Sequence, residues 1–193
     1  ILLRRDVPRF AELIREQELQ EFLPATPVVE AWRTFRGPRR ARWLEEARRL
    51  AATSPRLVDA HAALCLEEAR TGELAPAERE CALAATAADE RYWLHPTPGG
   101  LRSLSAAIAQ LVLAGELTRR GTGEPVEPFL ARAVALAPES ADVWAGRGAV
   151  LLERGDPAGS AAAFRRALAL DPTHRPASEG LVRAETLAAE GGR

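Results

Sequence analysis

Few residues of this chain could do chemistry, and their spacing decides what chemistry is open to them. Cys65 and Cys81 are its only cysteines. His61 stands one helical turn before Cys65, a spacing that can seat a metal ion, but no fourth ligand completes the set. Two cysteines cannot build a disulfide framework. The expected state is therefore a pair of buried thiols in a reducing, cytoplasmic compartment, with a disulfide as the alternative. His95 lies in the stretch from Arg91 to Gly100, which also holds the sole tyrosine, Tyr92, and Trp93. Pro96 and Pro98 predict an irregular loop there. That loop either packs with Trp93 as its anchor or contacts a ligand through Tyr92, Trp93 and His95.

The remaining polar groups form no reactive set. His61, His95 and His174 are too scattered for a nucleophile, base and acid, and Ser103, Ser105 and Ser160 carry no nucleophile-elbow motif. Glu45-Glu46 and Glu67-Glu68 read as solvated helix faces. All 26 basic residues are arginine, and the absence of lysine excludes Schiff-base chemistry and a Walker-type phosphate loop. The expectation is a protein that is not an enzyme and that takes no cofactor or metal.

Charge narrows the partners. The 26 basic and 27 acidic residues leave a net charge of -1, unlike a chain that wraps nucleic acid. One cluster stands out: Arg33, Arg36, Arg39, Arg40 and Arg42, with no acid between Ala31 and Leu44. It is either a solvated turn and helix start or a reader of phosphate or acidic peptide, since guanidinium forks match both. No run approaches the length of apolar sequence that spans a bilayer. The chain begins at Ile1 without methionine, so a leader, anchor or upstream domain can precede it. Ile1-Leu2-Leu3 followed by Arg4-Arg5 would suit the end of a membrane anchor.

The elements that hold these residues follow from an internal repeat. The chain of 193 residues is 47% apolar and 27% charged, enough for a sizeable core. Shifted by thirty-four residues, Ala114 falls on Gly148, Leu117 on Leu151, Gly121 on Gly155, Leu130 on Phe164, Ala133 on Ala167 and Pro138 on Pro172. An earlier register pairs Ala31 with Cys65, Pro38 with Gly72, Ala47 with Cys81 and Leu50 with Ala84. Fifteen residues inserted between Asp89 and Ala107 separate the two registers. Helix starts are expected at Ser54-Pro55, Ala75-Pro76 and Asp156-Pro157, and helix ends at Gly72, Gly121 and Gly155. No alternating β-branched run appears.

The unit from Ala141 to Pro172 resembles the tetratricopeptide repeat, with Trp144, Gly148 and Leu151 in the signature slots of its first helix. Phe164, Ala167 and Pro172 fill those of the second. Arg147 and Ser160 depart from the usual leucine and alanine. The resemblance implies an all-α fold: a right-handed α-solenoid of about ten helices, stacked as helix–turn–helix units with capping helices at both ends. Its parts are an N-terminal amphipathic helix (1–23, helical from Val7 to Leu23 with Phe10, Leu13, Ile14, Phe22 and Leu23 on one face), a degenerate repeat (24–57) and a repeat at 58–91. An insertion (92–106) with a helix extended from Leu101 to Arg119 follows, then repeats at 107–140 and 141–174. A capping helix from Ala177 to Glu190 lies within 175–193. In the family Cys65 and Cys81 would occupy slots that face each other.

The resemblance also implies a concave groove lined by the first helix of each unit, which holds a peptide or a partner's helix. The transferred slots are Val28, Trp32, Phe35 and Arg36, then Asp59, Ala62, Leu66 and Arg70. Ile108, Leu111, Gly115 and Arg119 follow, then Asp142, Ala145, Ala149 and Glu153. Arg36, Arg70 and Arg119 would form one wall suited to an acidic partner. Chaperone-binding members hold a carboxylate with lysine and asparagine, which this chain lacks altogether. The expected function is a protein–protein interaction module. The alternative is a structural or self-association module, its groove filled by its own N-terminal helix or by a second copy.

Overall fold

The structure is a computed structural model that describes residues 28–96, 98–100 and 102–191; the expected helix from Val7 to Leu23 lies outside them. The described residues form an all-α protein of nine helices. They are α1 (Val28–Thr34), α2 (Gly37–Thr53), α3 (Val58–Thr71), α4 (Leu74–Leu94) and α5 (Leu104–Arg120). A turn at Pro98–Gly100 separates α4 from α5. The rest are α6 (Glu127–Leu136), α7 (Ala141–Glu153), α8 (Pro157–Leu170) and α9 (Arg175–Gly191).

Local chemistry sets most of the boundaries. Asp156 caps α8 by accepting from the Gly159 amide at 2.9 Å, with Pro157 at the first helical position. Ser103 and Ser140 cap α5 and α7 through the amides of Ala106 and Val143, two caps the sequence reading passed over. Gly72 and Gly121 close α3 and α5 in the left-handed conformation, at φ 93° and 61°. Two expected starts shift. α3 begins at Val58 because Ser54 to Leu57 form a turn, and α4 begins at Leu74, ahead of Pro76. The aromatic stretch also departs from expectation, since α4 continues through Tyr92, Trp93 and Leu94 before Pro96 stops it.

Most helices pack on their neighbours in sequence, and α3, α5, α7 and α9 also lie side by side. Small residues make the crossings close. A Cβ at Gly148 would stand 2.9 Å from the Phe164 ring, and one at Gly180 would stand 2.3 Å from it, so Phe164 of α8 fits between two glycines of α7 and α9. The Ser160 hydroxyl donates to the Gly148 carbonyl at 2.8 Å across the same crossing. That bond gives the fully buried Ser160 hydroxyl its partner. At the α5–α7 crossing, Gly146 makes room for Leu111, whose Cδ1 would lie 2.6 Å from an added Cβ.

Cys65 of α3 and Cys81 of α4 are fully buried and joined by a disulfide, with Cα atoms 5.2 Å apart. The expectation of two free thiols is corrected: the facing slots of one helical hairpin bring the pair within bonding range. The Gln110 amide nitrogen donates to the Cys81 carbonyl at 2.9 Å and ties α5 to the same place.

Two outcomes test this packing. Gly148→Leu should lower stability by about 1–3 kcal/mol through overpacking against Phe164, read as a fall in melting temperature; a parent-like melt would contradict the crossing. Denatured protein should show no free thiol until reductant is added and two afterwards. Reduction should cost about 3 kcal/mol, as expected for a loop of this length. Two titratable thiols before reduction would remove the bond.

Candidate functional site

The inward faces of α5, α7 and α9 line two adjoining depressions. The first, about 770 Å³, has Leu104, Ile108, Leu111, Val112 and Gly115 of α5 opposite Gly146, Ala149 and Val150 of α7. Trp32 and Arg33 of α1 form its near wall. The second, about 700 Å³, continues between α7 and α9 past Ala145, Gly146 and Ala149 to Glu179, Gly180 and Leu187. Arg33, Asp142, Gly146, Ala149 and Glu153 belong to both, so the two form one groove.

The lining residues recur thirty-four positions apart. Ile108, Asp142 and Pro176 share one position, and Val112, Gly146 and Gly180 another. Gly115, Ala149 and Arg183 share a third, and Arg119, Glu153 and Leu187 a fourth. Three helices thus present the same face to one groove, at the spacing found in the sequence.

The expected wall is only partly assembled. Trp32, Arg70, Ile108, Leu111, Gly115, Arg119, Asp142, Ala149 and Glu153 line the first depression. Phe35 instead is buried edge-on against Trp43, at 6.2 Å between ring centroids. Arg36 leaves the groove because α1 stops at Thr34, and Arg36 is the extended residue that starts α2. Arg33 reaches the groove in its place. Ala62 and Leu66 of α3 have no exposure at all. The sequence places Arg33 in the arginine run but not in the groove, because the repeat alignment gives no sign that α1 ends so early.

The arginines of the groove are largely spent on local acids. Arg70 grips Glu67 through two nitrogens, at 3.0 and 2.6 Å. Arg119 pairs with Glu116 at 2.7 Å and approaches Glu153 of α7 at 3.8 Å. Among the described residues no acid lies within ion-pair distance of Arg33. Elsewhere in the arginine cluster, Arg40 of α2 pairs with Glu67, and the Arg39 guanidinium lies 3.8 Å from the Phe35 ring centroid.

Two adjacent carboxyls of α3 are driven apart. Burial opposes ionisation of Glu67, but the hydrogen bonds from Arg70 and Arg40 outweigh it and bring its pKa to about 2. Burial, then the charges of Glu80 and Glu73, pushes Glu68 up to about 7 against weaker help from Arg48 and Arg79. One Glu68 oxygen is buried without a hydrogen-bond partner. Because its folded pKa lies above the unfolded value, stability tied to Glu68 is complete below about pH 4.5 and is lost as pH rises through about 7. Glu68→Gln should therefore melt above the parent at pH 8 and level with it near pH 4. An equal difference at both pH values would contradict the assignment.

The Tyr92–His95 region makes a third pocket of about 440 Å³, which meets the groove at Val29 and Leu104 and is lined by Tyr92 and His95 with Asp59, Arg91, Arg102, Ser103 and Ser105. Trp93 points away and is 81% exposed, so it anchors nothing. Arg102 pairs with Asp89 at 3.2 Å and lies over the Tyr92 ring, while Ser105 donates to Asp59 at 2.6 Å. His61 holds Glu80 at 2.6 Å and faces the Pro55 carbonyl at 3.0 Å. Among the described residues no three His, Cys, Asp or Glu side chains are grouped to hold a metal ion. None of the helices there is long and apolar enough to cross a membrane.

No protein-family model matches the chain, and no curated protein does.

Proposed function

We propose that the chain is a non-catalytic interaction module, a right-handed solenoid of tetratricopeptide-like units whose groove holds a partner's helix or peptide. The observation that carries this reading is the thirty-four-residue recurrence of groove-lining positions on α5, α7 and α9. A stack of like units gives each first helix the same face and joins those faces into one surface. Gly115 adds to it. A Cβ there would make only ordinary contacts, 3.7 Å from Arg119 and 3.8 Å from Val150, so the packing does not demand glycine. Glycine within a helix costs about 0.5–1 kcal/mol relative to alanine. What it leaves is a low point of the groove lining between Arg119 and Val150.

The ligand that suits this surface is chiefly apolar. Glu30, Glu116, Asp142 and Glu153 stand among Arg33, Arg70 and Arg119, so the lining carries both signs. An acidic partner would meet Arg33 first. The Cys65–Cys81 bond suits an oxidising compartment better than the cytoplasm. Self-association remains the second reading, favoured by α1, which lies across α3 and α5.

Partner capture by the immobilised chain tests the groove. Gly115→Leu should fill that low point, keep or raise the melting temperature, and weaken capture by about 1–3 kcal/mol. Leu83→Ser, an exposed position away from the groove, should leave capture unchanged. Equal capture by the parent and Gly115→Leu would remove the groove from consideration.

A further inference from the structure

The short helix α1 is placed where a ligand would be. Its main packing is against α3 and then α5, not against α2, its neighbour in sequence. By helical register Ala62 and Leu66 belong to the groove face of α3, and both have no exposure, while Ile108, Leu111 and Gly115 of α5 line the depression beside Trp32 and Arg33 of α1. The sequence of α1 has the pattern of a docking helix. Val28 and Ala31 are buried and Trp32 is half-buried, while Glu30, Arg33 and Thr34 are exposed; Phe35, one residue past the helix, is buried against Trp43 of α2. Apolar positions of α1 thus recur at i, i+3 and i+4, the way a helix enters a groove.

We propose that α1 is the built-in first occupant of a partner surface on α3 and α5, and that the partner is an amphipathic helix of the same pattern which takes its place. The inference rests on the groove reading above and extends it to the covered part of the surface. The hold on α1 is local and small. Arg40 of α2 donates to the Trp32 carbonyl at 3.1 Å and to the Phe35 carbonyl at 3.5 Å, while pairing with Glu67 of α3. Seven residues make two turns, too short for a helix to persist without its seat. The seat is also imperfect, since the indole Nε1 of Trp32 is buried with no hydrogen-bond partner among the described residues. A partner helix that supplies better contacts competes only against the effective concentration of a tethered segment.

A fluorescein-labelled synthetic peptide of residues 28–36 is the probe, titrated by anisotropy into the parent chain and into the full chain carrying Ala31→Glu. The charge at a fully buried position of α1 should unseat that helix and leave α3 and α5 exposed. The peptide should bind the variant at least tenfold more tightly than the parent, and a scrambled peptide should bind neither. Equal binding to both chains, or to neither, would overturn the proposal. Hydrogen exchange on the parent is the second measurement and needs no variant to fold. Amides of α1 should exchange at least tenfold faster than those of α3 and α5; α1 amides that exchange only with global unfolding would also overturn it. A concentration-dependent dimer in light scattering would overturn it in favour of a second copy's α1 as occupant. Loss of peptide binding with capture still sensitive to Gly115→Leu would reject this inference and leave the open groove standing.

Discussion

Everything in this fold depends on helices that cross closely enough to share one core. The chain has no methionine and only 5% aromatic residues to fill gaps, so it closes space by bringing backbones together. Phe164 shows the device most plainly, seated between Gly148 and Gly180 so that α7, α8 and α9 meet around one ring. Leu111 against Gly146 does the same for α5 and α7. Between α3 and α4 the small residues are cysteines, and there a covalent bond completes the approach. Each of these sites tolerates little added volume, and each fixes the relative rotation of the helices it joins.

That rotation is what makes a groove. With α5 held on α7 by Leu111 against Gly146, and α7 and α9 joined through Phe164, the three helices turn their lining positions toward one groove. The lining therefore inherits the spacing of the sequence, from Ile108 to Asp142 to Pro176. The electrostatics follow from the same stacking. Acids and arginines brought together on adjacent turns satisfy each other, as with Glu116, Arg119 and Glu153, and the groove is left with a mostly apolar floor.

The helical class and the tight crossings were legible in the sequence because both depend on local patterns: small residues at crossing slots and glycine after helices, whereas of the three proline starts only Asp156-Pro157 stands where expected. Gly148 against Phe164 needed only the alignment. The details that escaped depend on where a helix stops or on what another segment covers. The alignment predicts a first helix that runs past Arg36 and carries it into the groove, but α1 ends at Thr34. Ala62 and Leu66 have groove register, but nothing in their own segment tells that they would be fully buried or that α1 would pack on α3. Arg70 and Arg119 carry the right charge in the right place, yet their engagement with Glu67 and Glu116 is a property of rotamers, not of spacing. The disulfide was one of two states that the same slots allow.

The central claim is that the shared inner face of α5 and α7 is the surface that receives a partner. Methyl-resolved NMR of the chain labelled at isoleucine, leucine and valine, recorded with and without a captured partner, tests it most directly. The account predicts shifts concentrated at Ile108, Leu111, Val112 and Val150, with Leu83 and Val182 unmoved. Shifts centred on Leu83 or Val182, with the groove methyls unchanged, would contradict it.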